Sequence, residues 1–336
     1  MSAAPGRPQA SSHRSAQHEG SPVSAHGKPG APDGAPPTWM QHPERGNLFW
    51  LRLMRWLSLT LGRRVSRIVV FGIALYFVVI ASSARLAARI YLARCLNRSV
   101  TWLDLYRHFL AFASTIHDRV YLINDRHELF DIQTVGTDAL HTQHASKQGA
   151  FLFGAHLGSF EVLRSLARDQ PGLQVAMAMY PENARQINDT LAAINPRAMQ
   201  DIIALGRLDA ILTIHNRLEN GAMVGILADR TSGPDHYVTL PFLGAPANFP
   251  TGPFRVAAIL RHPVYFMTGL YRGGNRYEVH FELLSDFSVA DQRGRDALVQ
   301  ETLARYVSAL ERYCRAAPYN WFNFYDFWDL KHRDPA

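Results

Sequence analysis

FLFGAHLGSFE, residues 151–161, is the stretch on which the fold turns. An apolar, strand-like run ends in the small residues Gly154 and Ala155. A helix then opens, with Ser159 placed to cap it. His156 falls in the turn and Glu161 in the first turns of the helix. A histidine and a carboxylate held where a strand gives way to a helix form a candidate general-base pair. Positions five apart on a straight helix diverge by roughly 140°, so the two can meet only if His156 precedes the helix. Gly154, Ala155, Gly158 and Ser159 are small and leave room for a substrate to approach. The spacing by itself carries nothing. With 15 His and 28 Asp plus Glu in 336 residues, an acid follows a histidine by five positions about 1.25 times by chance. The competing reading is a buried histidine satisfied by backbone, with Glu161 on a solvated face.

Working outward, apolar strand-like runs fall at 150–155, 173–179, 200–205, 222–228, 263–271 and 276–284. Helix-like segments lie at 159–169, 183–194, 207–219, 251–260 and 294–316, and Trp102–Ile123 has an amphipathic helical pattern. This alternation predicts an α/β domain over residues 126–330, a largely parallel sheet flanked by helices. The RGGN turn at Arg272–Asn275 predicts a hairpin and so a mixed sheet. The sequence has no P-loop and no Gly-x-Gly-x-x-Gly fingerprint, so nucleotide binding is not indicated. Cys95 and Cys314 make neither a disulfide framework nor a zinc signature, and suit a reducing compartment. No cofactor and no metal is expected, and His215 and His262 read as structural or surface residues.

Residues 1–44 are rich in Ser, Ala, Gly, Pro and His and predict a disordered tail. No apolar signal-peptide core follows a basic start there, which argues against secretion. Residues 45–125 predict a basic, membrane-associated helical region. The net charge of +7 is local: ten arginines and no Lys, Asp or Glu lie between Arg45 and Arg98, leaving 7 − 10 = −3 for the rest. Such localisation argues against a general nucleic-acid binder and for a surface carrying anionic lipid. Ile68–Ser83, IVVFGIALYFVVIASS, is uncharged but only 16 residues long, short of the ~17–25 that a span requires. With arginines on both sides it reads as a re-entrant or interfacial helix, and LFWLRLMRWLSLTLG before it as a helix in the headgroup region. A buried helix of a soluble core is the alternative.

AHLGSFEVLR resembles the His-x4-acid signature of the glycerolipid acyltransferase superfamily, and most of all the lipid A late (lauroyl/myristoyl) acyltransferase branch, which uses His-x4-Glu. Two further blocks resemble that branch in the same order. One is GAMVGILADRTSGPDHYVTLPFLGAPANFPTGPFRVAAILRHPVYF, in which a strand ends in Asp and a Phe-x-Gly turn follows. The other is the aromatic PYNWFNFYDFW near the end. The chain departs from the branch at Ala155, where Asn is common, at Ser159-Phe160, where Asn-Trp is common, and at Asp229-Arg230, where Asp-Gln is frequent.

The resemblance implies a bacterial inner-membrane enzyme on the cytoplasmic face. It would move an acyl group from acyl carrier protein or coenzyme A to a hydroxyl of a lipid or glycolipid. His156 would be the general base and Glu161 would orient it. Backbone N–H groups at Leu157–Ser159 would meet the oxyanion. With no Ser or Cys in a nucleophile elbow, no acyl-enzyme is required. Asp229 would join the site, or else serve as a cap or turn residue. Arg197 lies roughly where the family contacts phosphate, and Arg164 and Arg230 are further anion-binding candidates, with plain surface roles as the alternative. The terminal Trp321, Phe322, Phe324, Tyr325, Phe327 and Trp328 would line an acyl pocket or sit at the interface, with core packing as the alternative. A degenerate, membrane-tethered adaptor for the carrier protein, and a thioesterase using water, are the competing functions.

Overall fold

The computed structural model describes residues 47–168, 172–180, 194–195, 202–205, 208–230, 236–289 and 294–329. Residues 1–44, Arg197 and nearly all of the expected helix at 183–194 lie outside the described residues. Three helices come first: α1 (Asn47–Ile80), α2 (Ser82–Leu96) and α3 (Trp102–Ile123). The α/β part follows as β1 (Asp131–Val135), α4 (Asp138–Ala145), β2 (Ala150–Gly154), α5 (Phe160–Arg168), β3 (Val175–Met179) and β4 (Ile202–Ala204). Then come α6 (Leu208–Glu219), β5 (Met223–Leu227), β6 (Tyr237–Phe242), β7 (Ala245–Pro250), α7 (Gly252–Leu260), β8 (Pro263–Tyr271), β9 (Arg276–Asp286) and α8 (Arg295–Ala316).

Seven strands form one sheet in the order β1-β9-β8-β2-β5-β3-β4. All neighbours are parallel except β8 and β9, which form the hairpin expected at RGGN. Gly273 and Gly274 both take the positive φ that such a turn requires. The mixed, largely parallel α/β fold is therefore present. The centre of the sheet is apolar on both faces, since β2 and all nine residues of β8 are buried. Helices cover both sides and exclude water, the usual condition of parallel strands. β6 and β7 form a separate antiparallel pair that the apolar runs did not announce. Three prolines interrupt its pattern, and its turn at Leu243-Gly244 has φ of 50° and 79°.

α3 starts with a capping box: Thr101 accepts from the Asp104 N–H while the Asp104 carboxylate accepts from the Thr101 N–H. Its buried face joins the core. Val78, Tyr91, Leu92, Leu105 and Phe109 belong to the same apolar cluster as Phe151, Phe153 and Phe266 of the sheet. α1 is interrupted at Gly62 (φ 75°, ψ 165°), and its last part meets α2 at 94°. No single described helix is long and apolar enough to cross a membrane, though the bent pair passes on length and composition together.

The ten N-terminal arginines are not uniformly available to an outside partner. Arg63 makes a bidentate pair, at 2.9 and 3.0 Å, with fully buried Asp118, which also accepts from the Tyr277 hydroxyl at 2.9 Å. Arg98 pairs with buried Asp104, and Arg85 donates to the carbonyls of Val78 and Val79 at the end of α1. A block of arginines beside apolar helices thus serves partly to fasten those helices to the core.

Candidate active site

The register of the parallel strands assembles the site. Gly154, the last residue of β2, pairs with Leu227, the last of β5. Two residues beyond each strand stand His156 and Asp229, side by side at the carboxyl edge, where open α/β sheets place their ligands. His156 Nδ1 lies 2.9 Å from Asp229 Oδ1, and the His156 backbone N–H donates to Oδ2 at 3.1 Å. The Trp321 indole N–H donates to the same Oδ2 at 3.1 Å. Asp229 is fully buried, yet two main-chain or ring N–H groups and the imidazole satisfy its oxygens.

This arrangement corrects the expected pairing. The carboxylate that holds the imidazole is Asp229, not Glu161. Glu161 is the second residue of α5, and its carboxylate is turned to Arg164 one turn on, at 3.4 Å. Nδ1 was already taken, because the β2–β5 register delivers Asp229 to it. Two of the three expected oxyanion donors, the N–H groups of Gly158 and Ser159, are also engaged. The Gly158 N–H donates to Asn320 O at 2.9 Å and the Ser159 N–H to Gly269 O at 2.8 Å. These bonds build the turn and leave neither group for a substrate.

The turn needs its glycines. Gly158 has φ of 74°, and a Cβ there would lie 2.0 Å from Gly269 O. Gly269 approaches equally closely, since its own Cβ would meet Ser159 O at 2.4 Å. From the other side, the Phe322 N–H donates to His156 O at 2.7 Å, so the segment after α8 forms a short bridge with the turn. Asn320 locks that segment to β8, accepting from the Tyr271 N–H and donating to the Tyr271 carbonyl.

Arg230, next to Asp229, donates to Phe322 O at 2.9 Å, with its guanidinium 5.2 Å from the Tyr325 ring centre. Arg164 is buried and, with Arg168, Gln174 and Arg217, lines a cavity of about 310 Å³ near the start of β3, toward the opposite edge of the sheet from His156. Of the named site residues, the structure brings together His156, Asp229 and Arg230. Glu161 and Arg164 form a pair of their own.

The charge states follow from the surroundings. Burial of the ring and the nearby Arg230 cation lower the His156 pKa, and Asp229 opposes them without prevailing. Burial alone would raise the Asp229 pKa, but His156, Arg230 and the His156 N–H hold it well below the usual carboxylate range. At neutral pH the site is thus an Asp229 carboxylate against a neutral imidazole. The carboxylate fixes the proton on Nδ1 and leaves a lone pair on Nε2. About a third of the His156 side chain is exposed, so the ring can be reached. The geometry is that of a general base with its orienting acid. Neither thiol competes as a nucleophile. Burial pushes Cys95 up to about 11, raises Cys314 well above its ordinary value, and leaves both free and inert.

Trp321, one of the terminal aromatics, has a polar role at the site that its sequence context does not announce. Its ring is fully buried against Tyr91, Phe242 and Phe327, which is the packing role allowed for the terminal aromatics. Its N–H places it at the site as well. A buried indole N–H normally finds a hydrogen-bond partner, but nothing in the local pattern around Trp321 points to Asp229.

Among curated proteins, none matches the chain. A family model, that of the bacterial lipid A biosynthesis acyltransferases, matches residues 38–329.

Proposed function

The chain belongs to the bacterial lipid A biosynthesis acyltransferase family and is an acyltransferase with an acyl donor and a lipid acceptor; from that premise we propose that His156 is its general base and Asp229 the group that orients it. The single observation carrying this reading is the 2.9 Å contact between His156 Nδ1 and buried Asp229, with Nε2 left to accept. The donor is an acyl thioester on acyl carrier protein or coenzyme A. An acceptor hydroxyl hands its proton to Nε2 as its oxygen attacks the thioester carbonyl. The imidazolium that forms is stabilised by Asp229. As the tetrahedral intermediate collapses, the C–S bond breaks and the imidazolium returns its proton to the departing thiolate. Glu161 acts through Arg164, whose guanidinium it keeps in place within α5.

We place the reaction on the cytoplasmic face of the inner membrane. What supports a membrane setting is the distribution of exposed apolar side chains: Ile68, Leu75, Tyr76, Val79 and Ile80 of α1 and Leu86 of α2 are all more than half exposed. Such a surface calls for a partner, and a bilayer interface suits one edged by arginine.

Lipid mass spectrometry of a host deletion strain, complemented with wild type or with His156→Ala, tests the base assignment. The expected result is one acylated lipid that wild type restores. The variant leaves it reduced about 10²- to 10⁴-fold, while still sedimenting with membranes. Full restoration by His156→Ala refutes the assignment. Release of free fatty acid at a rate independent of lipid acceptor would favour hydrolysis instead.

A further inference from the structure

The edge of the sheet opposite His156 carries a second cluster of ligating side chains. α6 ends at Glu219, and His215 lies one turn earlier on the same face. His262 stands between α7 and β8, directly after Arg261, whose left-handed backbone (φ 58°) ends α7. His262 Nε2 is 3.3 Å from Glu219 Oε1, and His215 Nδ1 is 4.0 Å from that same oxygen. The three donor atoms all lie within 4.8 Å of one another.

The hydrogen bonds around the cluster leave its centre short of a cation. His262 Nδ1 faces the Gly149 carbonyl at 3.2 Å. A carbonyl only accepts, so Nδ1 carries the proton. Nε2, which faces the Glu219 carboxylate, is then the ring nitrogen available to a metal ion. His215 Nδ1 is a buried atom with no hydrogen-bond partner. One ion among the three donors satisfies all of them. Tetrahedral bonds of ~2.0–2.1 Å put neighbouring N and O ligands roughly 3.4 Å apart. The observed separations reach that value by rotation of His215 and Glu219, which are 44% and 60% exposed. A ligating imidazole whose other nitrogen donates to a backbone carbonyl is the arrangement that fixes a metal-binding tautomer. Gly149 is itself held against the end of α6, where its N–H donates to Leu218 O at 3.0 Å.

We propose that His215, Glu219 and His262 bind a divalent transition-metal ion, with zinc the best match to two imidazoles and one carboxylate and water completing the shell. An all-oxygen cation such as magnesium does not suit this donor set. Gly149 leads into β2, Glu219 into β5 and His262 into β8. These are three adjacent central strands, and the far ends of β2 and β5 carry His156 and Asp229. The ion therefore clamps the entry to the strands that present the base, and its effect is on stability, not on the chemical step.

The test uses the full chain in detergent after chelation. Calorimetric titration with zinc and the thermal midpoint with zinc or magnesium are measured for wild type, His215→Gln and His262→Gln. Wild type should take up one zinc that both variants lack. Its midpoint should rise by about 5 °C at a hundredfold excess over Kd, with no response to magnesium. Absence of saturable zinc binding, or the same uptake and the same rise in both variants, overturns the proposal. His215 is half-exposed, so His215→Gln keeps the comparison valid if His262→Gln fails to fold.

Discussion

To accept a proton at neutral pH the His156 imidazole has to be uncharged, and its neighbours decide that charge. Burial and Arg230 lower its pKa; Asp229 raises it. Because the net shift is downward from 6.5, the neutral form of the base predominates above that value. Activity is lost only as pH falls through the lowered pKa. The acid limb of kcat/KM should therefore lie below pH 6.5. Replacing Arg230 with Gln removes a cation that disfavours imidazolium, so the limb should move to higher pH, whereas Arg230→Lys should leave it near the wild-type position. The plateau is expected to change in both variants, since neither reproduces the guanidinium that donates to Phe322 O and lies over the Tyr325 ring, and so the limb is the quantity to read. A limb that stays in place in Arg230→Gln would remove Arg230 from the account of the His156 charge.

At the scale of elements, the turn between β2 and α5 is the joint that aims the base. Two substitutions separate its two requirements. Gly244 and Gly158 both have positive φ, at 79° and 74°. A Cβ at Gly244 meets nothing within 4 Å, while one at Gly158 runs into the Gly269 carbonyl. Gly244→Ala should cost about 1–2 kcal/mol, the backbone term alone. Gly158→Ala should cost at least about 3 kcal/mol and displace the bonds that Gly158 and Ser159 make. Denaturant midpoints compare the two, and equal losses would show that the close approach carries no energy. The legibility of these elements differed for physical reasons. β2, β5 and β8 were visible because strands buried on both faces are unbroken apolar runs, and α3 because Leu103, Tyr106, Leu110, Ala113 and Ile116 recur at helical spacing, although the face the core buries is the neighbouring one, with Leu105, His108, Phe109 and Asp118. β1 was not visible: four of its five residues are exposed, and it exists because β9 offers an edge. The β6–β7 hairpin was hidden by its prolines. His156 and Asp229 were each singled out, but their pairing depends on the β2–β5 register, which neither segment encodes alone. Local spacing pointed instead to Glu161, which turned out to hold Arg164.

At the scale of the molecule, the core is built on one side of α1 and something else must meet the other. Val70, Ala74 and Val78 are buried, while Ile68, Leu75 and Val79 remain 69%, 56% and 59% exposed. Asp118, held by Arg63, together with the Ser66–His117 bond of 2.8 Å, fastens the middle of this helix to α3. The exposed face is therefore presented by a fixed support and does not depend on the helix being free. If that face enters the bilayer interface, each large aliphatic side chain contributes roughly 1.5 kcal/mol or more to partitioning. Changing Ile68, Leu75 and Val79 together to Ser would remove about 4.5 kcal/mol, or about three orders of magnitude in the partition coefficient. Vesicles containing anionic lipid should sediment the wild type and leave the triple variant in the supernatant. The thermal midpoint in detergent should be nearly unchanged, because these side chains contribute little to the core. A variant that sediments as wild type does, with its midpoint intact, would place membrane attachment elsewhere in the chain. A variant with a collapsed midpoint would show instead that the face is a packing surface, and the apolar exposure would then need a protein partner to cover it.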